Sequence, residues 1–299
     1  MTVCIAAICN DNMVLGASDR MITTGVAGSI GFEPNLPKVW TLTNSIAVMV
    51  ADDILLHTEV FDKVKRPVLE RIIKEPDNWW KVEDVADLYS RFYVQVKSMR
   101  AEREVLLPFH LSLEEFINRQ KEMSPDFVMN IKEKLDKFKT SNISSIVTGV
   151  DADGPHIFEV NNEKVSCCDQ IGFAVIGIGY LHAAPHLMFS GHVRKSPITR
   201  TLIVTHQAKK KSEVAPGVGR GTDMFMIGPK LGSFTPVSEA IVKQLDEIYD
   251  TTAKRAEDVY KKGERTFEKY LKSLVIEKTE AQKPTDTKDI VPPKSGEPG

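Results

Sequence analysis

Cysteine is scarce, with four residues in a chain of 299, and no two of them form a C-x-x-C pair. Cys4 and Cys9 share one apolar run, and Cys167 and Cys168 are adjacent. Neither a thiolate zinc site nor a disulfide framework is indicated, and free buried thiols in a cytoplasmic protein are the expectation. No apolar run approaches the roughly 18 residues that a membrane-spanning helix requires. The N-terminus lacks the basic segment of a secretory signal. Net charge is −2, from 39 Lys and Arg against 41 Asp and Glu, so composition offers neither a nucleic-acid nor a membrane surface. No internal repeat is visible. A phosphate loop is also missing: Gly217 to Gly221 lacks the lysine and the spacing, and leads into a strand instead. His182, His186 and His192 lie near one another, the first two at i, i+4. No carboxylate or fourth ligand accompanies them in the same element, so no metal or other cofactor is expected.

What the chain does have is 42% apolar residues, enough to bury the core of one large domain. Its organising stretch is Met1–Lys38. Two apolar runs flank Asn10-Asp11-Asn12, which reads as a β-hairpin. Neither run alternates, so both strands should be buried on both faces. Removal of Met1 would give Thr2 both a β-hydroxyl and a free α-amine. With a reference pKa of about 7.7–8.0, that amine is partly neutral near pH 7 and can accept the hydroxyl proton, so nucleophile and base share one residue. A nearby lysine would keep the amine deprotonated. An aspartate would hold that lysine charged and in place. Asp19 and Lys38 are the candidates. The alternative is that Thr2 is a terminal residue without a role.

Thr2, the strand end Gly16-Ala17-Ser18-Asp19-Arg20, Thr24-Gly25 and Lys38 before a second hairpin resemble the proteasome β-type subunits and their bacterial relatives, which are N-terminal nucleophile hydrolases. The similarity continues at Val147-Thr148-Gly149-Val150-Asp151-Ala152-Asp153-Gly154-Pro155-His156, at Phe173-Ala174-Val175-Ile176-Gly177-Ile178-Gly179, and at Gly219-Arg220-Gly221-Thr222-Asp223-Met224. It spans roughly residues 2–230, and the order of the motifs carries more weight than any one of them. The resemblance implies Thr2 as nucleophile, Lys38 as the group tuning its amine, Asp19 as the group orienting Lys38, and a backbone N–H near Ala51 for the oxyanion. The pattern departs in three places. Ile178 stands where active members have a serine. Ser212 or Glu213 would have to replace a later aspartate–serine pair. Ala51-Asp52-Asp53 follows the second hairpin where the family prefers glycine.

The remaining chain reads in order. A second hairpin, Lys38–Leu42 with Ser45–Val50, turns at Thr43-Asn44. Asp52 or Asp53 caps a helix running to about Lys74, and a second helix spans about Val82 to Glu104. An inserted, charged segment near 103–141 carries a capping box at Ser112 and Glu115 and a helix opening at Ser124-Pro125. It packs on its own domain or forms a subunit contact. Strands occupy Ile143 to Ile178, and helices follow at His182–Ser190 and Ile198–Lys210. Lys209-Lys210-Lys211 reads as a solvated helix end. Val237–Leu274 is a long amphipathic helix, and 276–299 is too poor in apolar residues to fold.

The expectation is therefore an α+β fold: one domain over 1–275, a four-layer αββα sandwich of two antiparallel sheets with outer helices, of the N-terminal nucleophile hydrolase type, plus a disordered tail. The implied function is a threonine-type peptide hydrolase working as a homo-oligomeric ring in the cytoplasm, with peptide or protein as substrate and no nucleic-acid or membrane partner. The alternative is a non-catalytic scaffold subunit of the same fold, which Ile178 and the stretch 211–217 favour.

Overall fold

The computed structural model describes residues 2–24, 30–32 and 38–281. Met1, Gly25 and the distal part of the expected tail, 282–299, lie outside them. The first hairpin pairs β1 (Cys4–Cys9) with β2 (Met13–Asp19) in register Cys4–Ser18 through Cys9–Met13. Its turn places Asn10 and Asp11 at φ 51° and 58°, the left-handed pair that a tight hairpin turn needs and that Asn and Asp tolerate. A short ribbon of β3 (Ile22–Thr24) and β4 (Ile30–Phe32) follows. It was not legible as strands in a glycine-rich passage. The second hairpin comprises β5 (Val39–Thr43) and β6 (Ile46–Asp52). The Thr43 hydroxyl accepts the N–H groups of Ser45 and Ile46, both at 3.0 Å, and fixes the turn.

Two five-stranded antiparallel sheets result. With β7 (Ile143–Asp151), β8 (Gly154–Asn161) and β9 (Lys164–Cys167), one runs β5-β6-β7-β8-β9. With β10 (Phe173–Ile176), β11 (Thr222–Ile227) and β12 (Phe234–Pro236), the other runs β10-β1-β2-β11-β12. Cys4, Ala6, Ile8 and Phe225 of one sheet share a buried cluster with Ala47, Met49, Ile146 and Ile157 of the other, which is the layer between the sheets. The opposite face of β1 buries Val3 and Ile5 against α5 (Tyr180–Phe189) and α6 (Ile198–Ser212). Apolar matter on both sides of β1 is the physical reason its sequence does not alternate. The outer face of the β5–β9 sheet packs Val48, Val147 and Phe158 against α1 (Ile54–Lys74) and α2 (Val82–Ala101). The fold is thus α+β with two antiparallel sheets sharing a core, an arrangement compatible with a sandwich.

Asp53 caps α1 by accepting the N–H groups of Leu55 and Leu56 at 3.0 and 3.1 Å. Between α2 and β7, α3 (Leu113–Arg119) and α4 (Pro125–Lys137) carry the expected Ser112–Glu115 capping box and Ser124 cap. They close a small core of their own, with Val105, Leu106, Phe116 and Ile131 buried. The last helix, α7, runs Glu239–Ala281, so it continues past residue 275 into the expected tail; Glu, Lys and Ala there are good helix formers. Contacts divide the chain after Glu247, with the helix from Ile248 onward as a unit of its own. Among the described residues, no helix is long and apolar enough to cross a membrane.

Candidate functional site

The end of β2 brings Asp19 beside Thr2, two residues before β1, and Lys38 comes in from the residue before β5. All three side chains are buried: Thr2 is 2%, Asp19 0% and Lys38 4% exposed. The Thr2 hydroxyl donates to Asp19 Oδ1, and Lys38 Nζ donates both to Thr2 Oγ1 and, at 2.8 Å, to Asp19 Oδ1. Hydroxyl, ammonium and carboxylate thus form a closed triangle. A buried ion pair persists only when its remaining hydrogen-bonding capacity is satisfied. Asp19 meets this condition, since it also accepts the N–H groups of Val3 (2.9 Å), Met21 (3.0 Å) and Gly219 (2.9 Å).

The backbone around Thr2 is held equally closely. Its carbonyl accepts the Gly179 N–H at 3.2 Å. Gly177 has φ 88°, and a Cβ there would fall 2.3 Å from that carbonyl oxygen, so the chain can turn past Thr2 only with glycine at this position. Ile178, between Gly177 and Gly179, is 45% exposed.

Ser212 lies close by: a Cβ on Gly179 would approach its Cβ to 3.0 Å. Its hydroxyl, however, donates to the Lys209 carbonyl at 2.6 Å. Glu213 accepts Lys209 Nζ at 2.6 Å and Lys210 Nζ at 3.2 Å. Neither is hydrogen-bonded to Thr2.

Ala51 sits on β6, in register with Ser144. Its neighbour Val50 donates its N–H to the Lys38 carbonyl at 3.1 Å and accepts the Cys4 thiol at 3.5 Å. Burial pushes that thiol up to about 12, so Cys4 is a neutral wall of the site and not a second nucleophile. The Ala51 carbonyl is fixed by His57 Nε2 at 2.6 Å, with His57 Nδ1 2.7 Å from the Tyr89 hydroxyl. Burial lowers His57 to about 4, leaving it neutral. Nε2–H then donates to Ala51, and Nδ1 accepts from Tyr89. The next residue, Asp52, has φ 76°, a left-handed conformation that glycine adopts more readily.

One residue of the surroundings overturns its expectation. Lys209 is not a solvated helix end but fully buried. Its ammonium donates to Glu213, to the Gly219 carbonyl at 2.9 Å and to the Arg220 carbonyl at 2.8 Å. Burial lowers its pKa, and the Glu213 hydrogen bond opposes that shift. The signal was present in the helical periodicity: Thr205 and Ser212 are buried with it on one face of α6. The three histidines do not converge. His186 Nε2 meets Gln207 at 3.2 Å, His192 is buried, and no group of metal-ligating side chains occurs among the described residues.

In comparison with known proteins, the chain matches no protein-family model and no curated protein.

Proposed function

We propose that this chain is a threonine-type N-terminal nucleophile hydrolase of the proteasome-like kind, cleaving peptide amide bonds as part of a homo-oligomeric ring. The observation that supports this reading is the buried triangle of Thr2, Asp19 and Lys38. A hydroxyl locked between a carboxylate and an ammonium, all three removed from water, costs stability that a merely structural terminus has no reason to bear.

Once Met1 is cleaved, the freed α-amine of Thr2 takes the hydroxyl proton while Oγ1 attacks the substrate carbonyl carbon. The tetrahedral intermediate collapses by breaking the C–N bond. The proton passes to the leaving amine, and an acyl ester remains on Thr2. Water, deprotonated by the same amine, then releases the acid and restores the hydroxyl. Lys38 stabilises negative charge growing on Oγ1 and disfavours protonation of the amine, and Asp19 keeps Lys38 aimed. A backbone N–H near Ala51 receives the oxyanion.

The competing reading is a non-catalytic subunit of the same fold. Ile178 and the engagement of Ser212 with the Lys209 carbonyl favour it, because the Ser212 hydroxyl is committed to that carbonyl and not to Thr2.

Intact mass and labelling with a peptide epoxyketone, which requires both hydroxyl and amine, decide between the two. The hydrolase reading expects protein beginning at Thr2 and a single adduct that Thr2→Ala abolishes. Retention of Met1, or resistance of Thr2-terminated protein to such electrophiles, assigns the scaffold role.

A further inference from the structure

The helix from Ile248 onward carries a stripe of apolar side chains left open to water. Every side chain from Asp250 to Ser273 is exposed. Val259, Tyr260, Phe267, Tyr270 and Leu271 are between 47% and 73% exposed. Projected down the axis at about 100° per residue, these five fall in one sector together with Ala256 and Gly263. An isolated helix of about seven turns gains nothing in water from such a stripe, because helices in proteins draw most of their stability from packing one face. Gly263 adds a second observation. Glycine weakens a helix interior, yet a Cβ at Gly263 would meet nothing within 4 Å, so no close approach within this chain requires it.

The charges beside the stripe identify its partner. Arg255, Lys262 and Lys269, at heptad spacing, border one edge. Asp250, Glu257 and Glu264, at the same spacing, border the other. In a parallel pair of identical helices, a two-fold axis along the seam sets the basic edge of each against the acidic edge of its partner. In an antiparallel pair, the axis crosses the seam and sets like edges together. The Glu257–Lys261 pair within the helix, at 3.3 Å and well exposed, is too weak to withdraw Glu257 from this role.

We infer that α7, from Ile248 to Leu274, is a self-association element that pairs in parallel with the same helix of a second copy, selected by this division of charge. Gly263 and Ala256 lie near the middle of the seam, where the two backbones approach most closely. The inference requires no chemistry at Thr2 and holds for a catalytic or a scaffold subunit alike.

The test uses the full chain with Cys167, the exposed native thiol, replaced by serine. Ala256→Cys and Tyr270→Cys are introduced separately and oxidised under copper phenanthroline. A parallel pair in register brings each position against itself, so both variants give disulfide-linked dimers. Adding Arg255→Glu, Lys262→Glu and Lys269→Glu makes both edges acidic and reduces the dimer yield at least tenfold. Asp250→Lys, Glu257→Lys and Glu264→Lys do the same with both edges basic. Mixing the two charge-reversed proteins restores cross-linking, which shows that neither failed to fold. No cross-linking at either position overturns the inference. So does a mixture of the Ala256→Cys and Tyr270→Cys proteins that cross-links only between the two variants, which marks an antiparallel pair. Yields indifferent to both charge reversals overturn the assigned selectivity.

Discussion

Lys209 Nζ lies 2.9 Å from the Gly219 carbonyl, and the N–H of the same glycine donates to Asp19 at 2.9 Å. The buried lysine of α6 therefore holds the carbonyl of the same residue, Gly219, whose N–H reaches the carboxylate of the site. Lys209→Met takes the ammonium from the carbonyls of Gly219 and Arg220 and leaves the Glu213 carboxylate with Lys210 alone. A loss of about 3–5 kcal/mol is expected in urea unfolding, the range for one partner removed from a buried pair. A loss below about 1 kcal/mol would mean that water replaces the ammonium and that the loop is not held by it.

The Asp19–Lys38 pair is expected to couple strongly. Lys38→Met and Asp19→Leu each leave a buried charge unpaired and should each cost about 3–5 kcal/mol. The double variant should cost distinctly less than the sum of the two. A double-mutant cycle by chemical denaturation measures this, and strict additivity would show that the two charges do not depend on each other. In the labelling assay, Lys38→Met should slow adduct formation by about two orders of magnitude or more, the scale of a lost proton-transfer or charge-stabilising group.

Gly177→Ala tests the backbone of Thr2 apart from its side chain. The added Cβ would lie 2.3 Å from the Thr2 carbonyl oxygen, in a backbone conformation that L-residues avoid. It should lower the melting temperature by many degrees and prevent labelling even where Thr2 is the terminal residue. A variant with wild-type melting and labelling would mean that this turn relaxes freely.

His57 makes stability depend on pH. Its pKa is pushed down by burial to about 4 in the folded chain, against about 6.5 when unfolded. The contribution of the neutral ring is complete above the unfolded value. It is lost as pH falls toward the folded value, because the unfolded state binds the proton first. The total is about 3 kcal/mol by pH 4. His57→Gln keeps a donor for Ala51 and an acceptor for Tyr89 without titrating. The difference in unfolding free energy between wild type and this variant should therefore shrink or reverse as pH falls from about 6.5 to about 4. A difference constant over that range would show that His57 titrates normally.

Local chemistry made the two hairpins and the capped helices legible: left-handed Asn and Asp in a turn, and side-chain caps at Asp53 and Ser112. Thr2, Asp19 and Lys38 stand out by their side-chain chemistry and a family resemblance, and no periodicity marks them. The β3–β4 ribbon escaped because three-residue strands are too short to show a period. Lys209 escaped because a run of three lysines conceals which one faces inward; that is decided by Thr205 and Ser212 on the same helix face. The peptide N–H groups converging on Asp19 come from residues up to 200 positions away, and no local pattern encodes them.

The strand order β10-β1-β2-β11-β12 has a consequence for how the chain reaches its fold. β1 and β2 form a hairpin of adjacent residues, yet each waits for its outer neighbour until much later in the sequence: Cys4 pairs with Ile176, and Asp19 with Thr222. During synthesis the hairpin is complete while both its edges still lack partners and both faces are uncovered: β6 to β8 come later to one face, and α5 and α6, after β10, to the other. Unpaired edges template unwanted strands, and closing loops of this length delays folding. The strands that carry Asp19 and lead on from Thr2 thus keep open edges until β10 and β11 emerge, so partial chains ending before β10 should aggregate more readily than the full chain.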